Sequence, residues 1–343
     1  MLRHLTILVY MNEHEVNILA ERGLFLNQPL RGQLEETHIS WVILTKRFAF
    51  KIKKPLRLSF LDFSTLAKRK RYCHRELQLN QRFSPIYLDV LPVYRQGDTW
   101  HIGRADGKVV DYVVRMKRML LSKRMDKLLE KKVVNKSNIV SLAQVIASFH
   151  KKAELVEDSF HLGRAKAAFN DIQTIIRPSR LHLGKEYALI IGKSIAWSNA
   201  FLHDHAERIR ERIAQGFYRD VHGDLHSGNI FLYKEPILFD CIEFNDAYRR
   251  IDMLNEIAFF CMDLEAYNQG KLARLFMQQY QRQLPCFQTK EDKRLFVYYK
   301  CFRANVRAKV HALSAMQAHD AEGRQHHVRA WRNYVRLIGR YIR

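Results

Sequence analysis

The feature that most limits what this chain can fold into is a change of hydrophobic period partway along it. Up to about residue 118, apolar residues tend to alternate, as they do in strands half-buried on a sheet. Ile39 to Leu44 and Phe48 to Ile52 are short β-rich runs separated by Thr45, Lys46 and Arg47, the pattern of a hairpin that Pro55 closes. Val90 to Tyr94, Trp100 to Gly103 and Val109 to Met116 follow, with turn signals at Gly97–Asp98 and Asp106–Gly107. Two helices are expected among these strands, over residues 12–22 and from a Ser64 cap to about Phe83. After residue 120 the period becomes helical. Ile139, Leu142, Ala143, Ile146, Phe149 and His150 recur on one helical face, residues 181–215 form a long helical stretch, and one β insert at 219–243 precedes a helical remainder. The fold class is therefore α+β, with a β-rich part over 1–118 and a mainly helical part over 119–343. The 343 residues accommodate two such parts, and 47% hydrophobic content excludes a disordered chain.

The β insert carries the chemistry. It reads His222-Gly223-Asp224-Leu225-His226-Ser227-Gly228-Asn229-Ile230, then two apolar runs around a turn at Lys234-Glu235-Pro236, then Asp240. A hairpin of that register would set Asn229 and Asp240 side by side at its open end, with Asp224 one turn away. Two carboxylates and an amide oxygen suit Mg²⁺, which prefers a few oxygen donors completed by water and phosphate. Phosphoryl transfer uses such a set: one Asp to orient or deprotonate the attacking hydroxyl, and an Asn and a second Asp to hold the metal. Asp224 is the candidate base, and Asn229 and Asp240 are the candidate metal ligands.

The segment His222 to Ile230 resembles the catalytic loop of the aminoglycoside phosphotransferase and choline kinase-like superfamily. An uncharacterised bacterial group within that superfamily is more similar still. It shares E-T-H-I-S-W-V at 36–42, K-I-K-K-P at 51–55, F-L-D-F-S-T-L at 60–66, F-D-C-I-E-F-N at 239–245 and V-R-A-K-V at 306–310. The resemblance implies a bilobal protein kinase-like fold, with a nucleotide-binding N-lobe and a C-lobe carrying the catalytic loop and substrate-binding helices. It also implies ATP and Mg²⁺ as cofactors, and transfer of the γ-phosphate to a hydroxyl of a small molecule. That group often carries a separate P-loop domain. Gly192-Lys193-Ser194 is not such a loop, because Tyr187 stands where its first glycine belongs, and the stretch reads as helix core.

A kinase-like first lobe needs a strand lysine for the α/β-phosphates and a helical glutamate to hold it. Ala49, Lys51 and Lys53 share one strand face, and Lys51 is the central one, Lys53 lying nearer Pro55. Glu76 falls within the apolar arc of the next helix, where an acid requires a cation. Met116 and Lys117 end the last strand before the change of period, where the backbone of a hinge would meet adenine. The sequence departs from protein kinases in two places. No G-x-G-x-x-G precedes Lys51, and Cys241 follows Asp240. Glu243 reads equally as a second metal ligand or as a supporting acid. His222 reads as a brace for the loop, His226 as a neighbour of phosphate or substrate, and Asp252 as the cap of an apolar helix. A metal site built on the two histidines lacks a third ligand at suitable spacing.

The net charge of +23, from 58 Lys and Arg against 35 Asp and Glu, points to an anionic partner. It makes a polycationic acceptor such as an aminoglycoside an unpromising substrate. It also leaves open a nucleic-acid-associated protein on a kinase-like scaffold, an alternative to the small-molecule enzyme. A nucleotide-binding pseudokinase is the third reading, weakened by the full catalytic set. Lys68 to Arg71 and the arginine-rich tail from Arg324 have no role in the phosphotransfer reading. Arg303, Arg307 and Lys309 recur at helical spacing, as phosphate contacts or as a solvated face. The tail reads as a packing helix or as an amphipathic membrane-surface helix. Five scattered cysteines without a C-x-x-C pair are those of a reduced, cytoplasmic protein. The short run from Leu5 to Met11 lacks a cleavage site, so no signal peptide is expected, and no run is long enough to span a membrane.

Overall fold

The computed structural model describes residues 11–58, 61–103, 106–318 and 320–343. Most of the apolar run at 5–11, and Phe60 of the shared motif, lie outside them. The chain divides into two compact units, Met1–Lys123 with Ile237–Asp246, and Arg124–Pro236 with Ala247–Arg343. The change of period at 118/119 thus lies close to the end of the first segment, and the first unit also takes in residues 237–246.

The first unit is built on an eight-stranded sheet. Its strands are β1 (Leu24–Phe25), β2 (Gln28–Pro29), β3 (Gln33–Glu36), β4 (Ser40–Leu44), β5 (Phe48–Lys53), β6 (Tyr87–Gln96), β7 (Thr99–Ile102) and β8 (Lys108–Lys117), in the order β2-β1-β7-β6-β8-β5-β4-β3. Helix α1 (Glu13–Arg22) starts from a capping box in which Asn12 and Glu15 exchange side-chain and backbone bonds. Its Val16 and Leu19 pack on Trp41, Phe50, Ile52 and Trp100 of one sheet face. Helix α2 (Leu66–Gln81) starts from Thr65, whose side chain accepts from the Lys68 amide; Ser64 instead bonds Asp62, so the expected cap moves by one residue.

The buried stripe of α2 is polar to an unusual degree. It consists of Arg69, Cys73, Glu76, Leu79 and Asn80. Arg69 donates from Nε to both oxygens of Asp111 on β8, at 2.9 and 3.0 Å, and also bonds the Phe63 carbonyl. Of the four basic residues at 68–71, then, one belongs to the interior.

The second unit is helical around α9. Its earlier elements are α3 (Met125–Glu130), α4 (Lys136–Lys152), α5 (Leu162–Asn170), α6 (Ile176–His182), α7 (Lys185–Asp204), α8 (Ala206–Ala214) and strand β9 (Tyr218–Asp220). The stretch at 181–215 is therefore broken into separate helices, and Gly192-Lys193-Ser194 lies inside α7. Strand β10 (Ile230–Leu232), a bend at residues 233–235 and strand β11 (Pro236–Leu238) follow the catalytic-loop segment. Strand β12 (Arg250–Asp252) pairs antiparallel with β9 and leads into α9 (Met253–Ala266). Every residue of α9 from Met253 to Leu264 is buried. Helices α10 (Gly270–Gln283), α11 (Lys290–Gln317) and α12 (Ala321–Tyr341) complete the unit. Trp331, Val335 and Ile338 of α12 are buried, which resolves the tail as a packing helix. All five cysteines are buried free thiols. Among the described residues, no helix is long and apolar enough to cross a membrane.

Removing one member of a buried ion pair leaves the other uncompensated, at about 3–5 kcal/mol. Arg69→Met should lose stability of that order in chemical unfolding. Adding Asp111→Leu should recover most of it; a double variant as unstable as the single one would contradict the pairing.

Candidate active site

Lys51 and Lys53 lie on the face of β5 that meets α2, while Phe50 and Ile52 fill the opposite core. Glu76 receives both lysines, one on each oxygen: Lys51 Nζ at 2.9 Å and Lys53 Nζ at 2.7 Å. Lys51 also contacts Asp240 Oδ1 at 2.5 Å, and Lys53 pairs with Glu243. Burial alone would discharge Lys51, but the carboxylates of Asp240 and Glu76 overcome it and hold its pKa well above the ordinary value. Burial pushes Glu76 upward, and the two ammonium groups bring it down to about 2. The segment carrying Asp240 is held in place by its backbone: the Asp240 amide donates to the Tyr87 hydroxyl and the Cys241 amide to Asn80 Oδ1, each at 3.0 Å. Asp240 has φ +64°, a left-handed conformation that Asp tolerates better than most residues. Its side chain is 44% exposed, unlike those of Lys53, Glu76 and Glu243.

The network engages both candidate lysines. Both meet Glu76, and Lys53 is the more deeply buried. It also gives Glu243 a place: it is the counterion of Lys53. The Lys117 amide donates to the Ile86 carbonyl and the Arg118 amide to that of Arg47, so both are engaged within the sheet. Met116 is buried in an apolar cluster with Ala49, flanked by half-buried Val42, Leu44, Met119 and Phe239.

In the second unit, Asp224 and Asn229 come together. Asn229 Nδ2 donates to Asp224 Oδ2 and to its carbonyl, both at 3.0 Å. His226 Nδ1 accepts from the Gly228 amide, which turns Nε2 toward Asp224 Oδ2 at 3.4 Å. His222 is the expected brace, its Nδ1 accepting from the Asp224 amide at 3.3 Å. Burial raises the Asp224 pKa, but His226, Arg307 and His222 outweigh it and hold the carboxyl well below its usual range. Its side chain remains 37% exposed.

The loop is held from two sides, by Glu256, which sequence reasoning passed over, and by Arg303, which it read as a phosphate contact or part of a solvated face. Glu256 on α9 accepts the amides of His222 at 2.8 Å and Gly223 at 3.0 Å. Arg303 on α11 donates to the Gly223 carbonyl at 2.9 Å and to Asn255 Oδ1 at 2.6 Å. Gly223 sits at φ +85°, where a side chain would be strained, and this clamp fixes the backbone immediately before Asp224. Asp263 accepts the Ser227 amide at 2.8 Å. Glu256 and Asp263 are seven residues apart in a mainly apolar helix, and that spacing was the available signal. Asp252 caps α9 as expected and forms a fully buried pair with Arg212 at 2.6 and 2.9 Å. Arg307 reaches His311, and Lys309 pairs with Asp171.

Mg²⁺ takes hard oxygen donors, usually one or two carboxylates with water and phosphate. The first unit's network has three carboxylates for two ammonium groups, and Asp240 is the exposed one. Asn229 directs its amide nitrogen to Asp224, which leaves its oxygen as the acceptor for a cation. Both residues are of the right chemical type. Among the described residues, no group of three or more His, Cys, Asp or Glu is disposed to hold a metal by itself.

A helical unit around a buried catalytic-loop segment, and a sheet unit with a lysine–glutamate pair, define a protein kinase-like fold. The chain has the two-lobed α+β form of that fold found in choline kinases and aminoglycoside phosphotransferases. A choline/ethanolamine kinase family protein from Mesorhizobium loti superposes with TM-score 0.52 and 11% identity, over 96% of this chain and 98% of the other. A choline kinase from Cryptosporidium parvum gives 0.53 and 12%, over 89% and 88%. An aminoglycoside 2′-phosphotransferase in complex with GDP gives 0.50 and 12%, over 88% and 90%. In sequence, the chain is 29% identical over 287 residues to uncharacterised proteins of Mycobacterium tuberculosis and Mycobacterium bovis. The match takes in 83% of this chain and 55% of theirs, so the chain spans about half the length of the curated relatives it matches. No protein-family model matches it.

Burial raises Glu256 to about 7, against the opposing effect of Arg303 and the loop amides. The folded chain therefore binds a proton that the unfolded chain releases near pH 4.5, and this contribution to stability is lost as pH rises toward about 7. Relative to Glu256→Gln, the wild type should lose about 3 kcal/mol of unfolding free energy between acid and alkaline pH. Urea unfolding across that range checks this; a pH-independent difference would contradict it.

Proposed function

We propose that this chain is an ATP- and Mg²⁺-dependent phosphotransferase that moves the γ-phosphate to a hydroxyl of a small molecule. The observation that carries the reading is Lys51 Nζ, held between Glu76 at 2.9 Å and Asp240 at 2.5 Å. A charged lysine fixed by a helical glutamate and next to a half-exposed aspartate is what binding and orienting nucleotide phosphates requires. Lys51, held by its pairing with Glu76, takes the α/β-phosphates, and Asp240 and Asn229 each offer an oxygen to a metal. Bound MgATP supplies the phosphoryl group and the cation that neutralises its charge.

Adenine is assigned to the apolar surface of Ala49, Met116, Val42 and Leu44. The engaged Lys117 amide makes that contact one of packing at Met116 more than of backbone hydrogen bonding. Asp224 is the base. Its depressed pKa keeps it ionised, and Asn229 and His226 aim the carboxylate, so it orients the acceptor hydroxyl and takes up its proton as the acceptor oxygen bonds to the γ-phosphorus and the bond from that phosphorus to the bridging oxygen breaks, with ADP as the leaving group. The Glu256–Arg303 clamp positions this base without touching the reactants. The choline kinases and the aminoglycoside phosphotransferase of similar fold support a small hydroxyl compound as acceptor class. The +23 charge argues against a polycation, and the five free thiols fit a cytoplasmic enzyme.

A screen for transfer of labelled γ-phosphate from ATP to hydroxyl metabolites, with Mg²⁺, should find an acceptor. Asp224→Ala should retain nucleotide affinity while transfer falls by about 10²–10⁴-fold. Normal turnover in that variant would remove Asp224 from the role of base.

A further inference from the structure

The phosphotransfer reading uses few of the 58 lysines and arginines. Several others are internal. Arg69, Arg208, Arg212 and Arg249 are buried and each pairs with an aspartate. The surplus positive charge must therefore be sought on the surface, and α12 presents it in ordered form. Arg329, Arg332, Arg336 and Arg340 are spaced by three, four and four residues, which puts them in one row along one helical face. The row extends about 17 Å at 1.5 Å per residue. Arg329, Arg336 and Arg340 are exposed and Arg332 is half-buried.

Among the described residues nothing neutralises this row. Arg329 bonds Gln325 and Arg336 bonds the Tyr187 hydroxyl, both neutral partners. Among the described residues none of the four arginines has a carboxylate partner. The one acid of α12, Glu322, lies in its first turn. Four like charges about 5 Å apart repel one another, and a polyanion relieves that repulsion.

The opposite face decides between polyanions. Trp331, Tyr334, Val335, Leu337 and Ile338 are all buried within the second unit. An interfacial helix needs such residues free to enter the lipid, so α12 has no apolar face left for a membrane. A single row of arginines follows a single chain of phosphates, and guanidinium groups engage phosphate in bidentate fashion and stack on bases. We propose that the arginine row of α12 is a binding surface for the backbone of single-stranded nucleic acid. This surface is independent of the phosphotransfer chemistry.

The test is fluorescence anisotropy of a labelled oligouridine of roughly 20 nucleotides, titrated with the full chain across a range of salt starting near about 50 mM. The wild type should bind. Changing Arg329, Arg332, Arg336 and Arg340 to Gln should weaken binding by at least about tenfold and flatten the log–log salt slope by about 3. A second variant, Arg332→Gln with Arg340→Gln, removes only side chains that make no hydrogen bond or ion pair among the described residues, and should give about half the change in slope. A control with Lys131, Lys136, Lys151 and Lys152 changed to Gln removes as many exposed charges elsewhere, and should bind like the wild type. Absence of wild-type binding would overturn the proposal, as would equal weakening in the control. Binding of phosphatidylserine vesicles that depends on α12, without RNA binding, would also overturn it in favour of a membrane surface.

Discussion

Two lysines on one face of a buried strand repel each other and resist desolvation, so they cannot remain there charged unless carboxylates come to them. Much of the first unit follows from this constraint on β5. Glu76 must sit in the buried stripe of α2, with one oxygen for each lysine. Asp240 and Glu243 must return from far along the chain, which is why residues 237–246 belong to a unit otherwise made of the first 123 residues. Asn80 and Tyr87 then fix the backbone that carries them. The resulting cluster is rigid where it is buried and open at Asp240, the combination expected of a phosphate and cation site.

The second unit meets a different problem. The loop from His222 to Ile230 has few backbone partners of its own, and its orphan amides must be satisfied. Helix α9 supplies them from within the core, through Glu256 and Asp263, and α11 reaches the remaining carbonyl with Arg303. The cost is a carboxyl raised to about 7 in the interior. Placing the support on a helix buried from Met253 to Leu264 makes the direction of Asp224 a property of the core.

Much of this was legible in the sequence because it has local periodicity. Alternation put Lys51 on the right face of its strand, the apolar arc put Glu76 on the inner face of its helix, and the spacing of Asp224 and Asn229 survives as a direct hydrogen bond. What was not legible depends on contacts between distant segments. Lys53 looked peripheral because Pro55 is near it, and no local pattern shows Glu243 arriving beside it. Arg69 was hidden among Lys68, Lys70 and Arg71, and only the position of Asp111 on β8 identifies it as internal. Strands β1 to β3 are two to four residues long and partly polar, too short to carry a period. Asp252 was legible as a cap, but the acid that steadies the loop is Glu256, one helical turn further on.

On the function proposed above, the Lys51–Lys53–Glu76–Asp240–Glu243 network holds nucleotide phosphates. Isothermal titration of ATP, with and without Mg²⁺, into the wild type and into Glu76→Gln tests this most directly. The wild type should bind ATP more tightly with Mg²⁺, and the variant should lose at least about tenfold in affinity, because an unanchored Lys51 must be ordered by the ligand itself. Equal affinity in the two proteins, or no binding by a folded wild type, would contradict it.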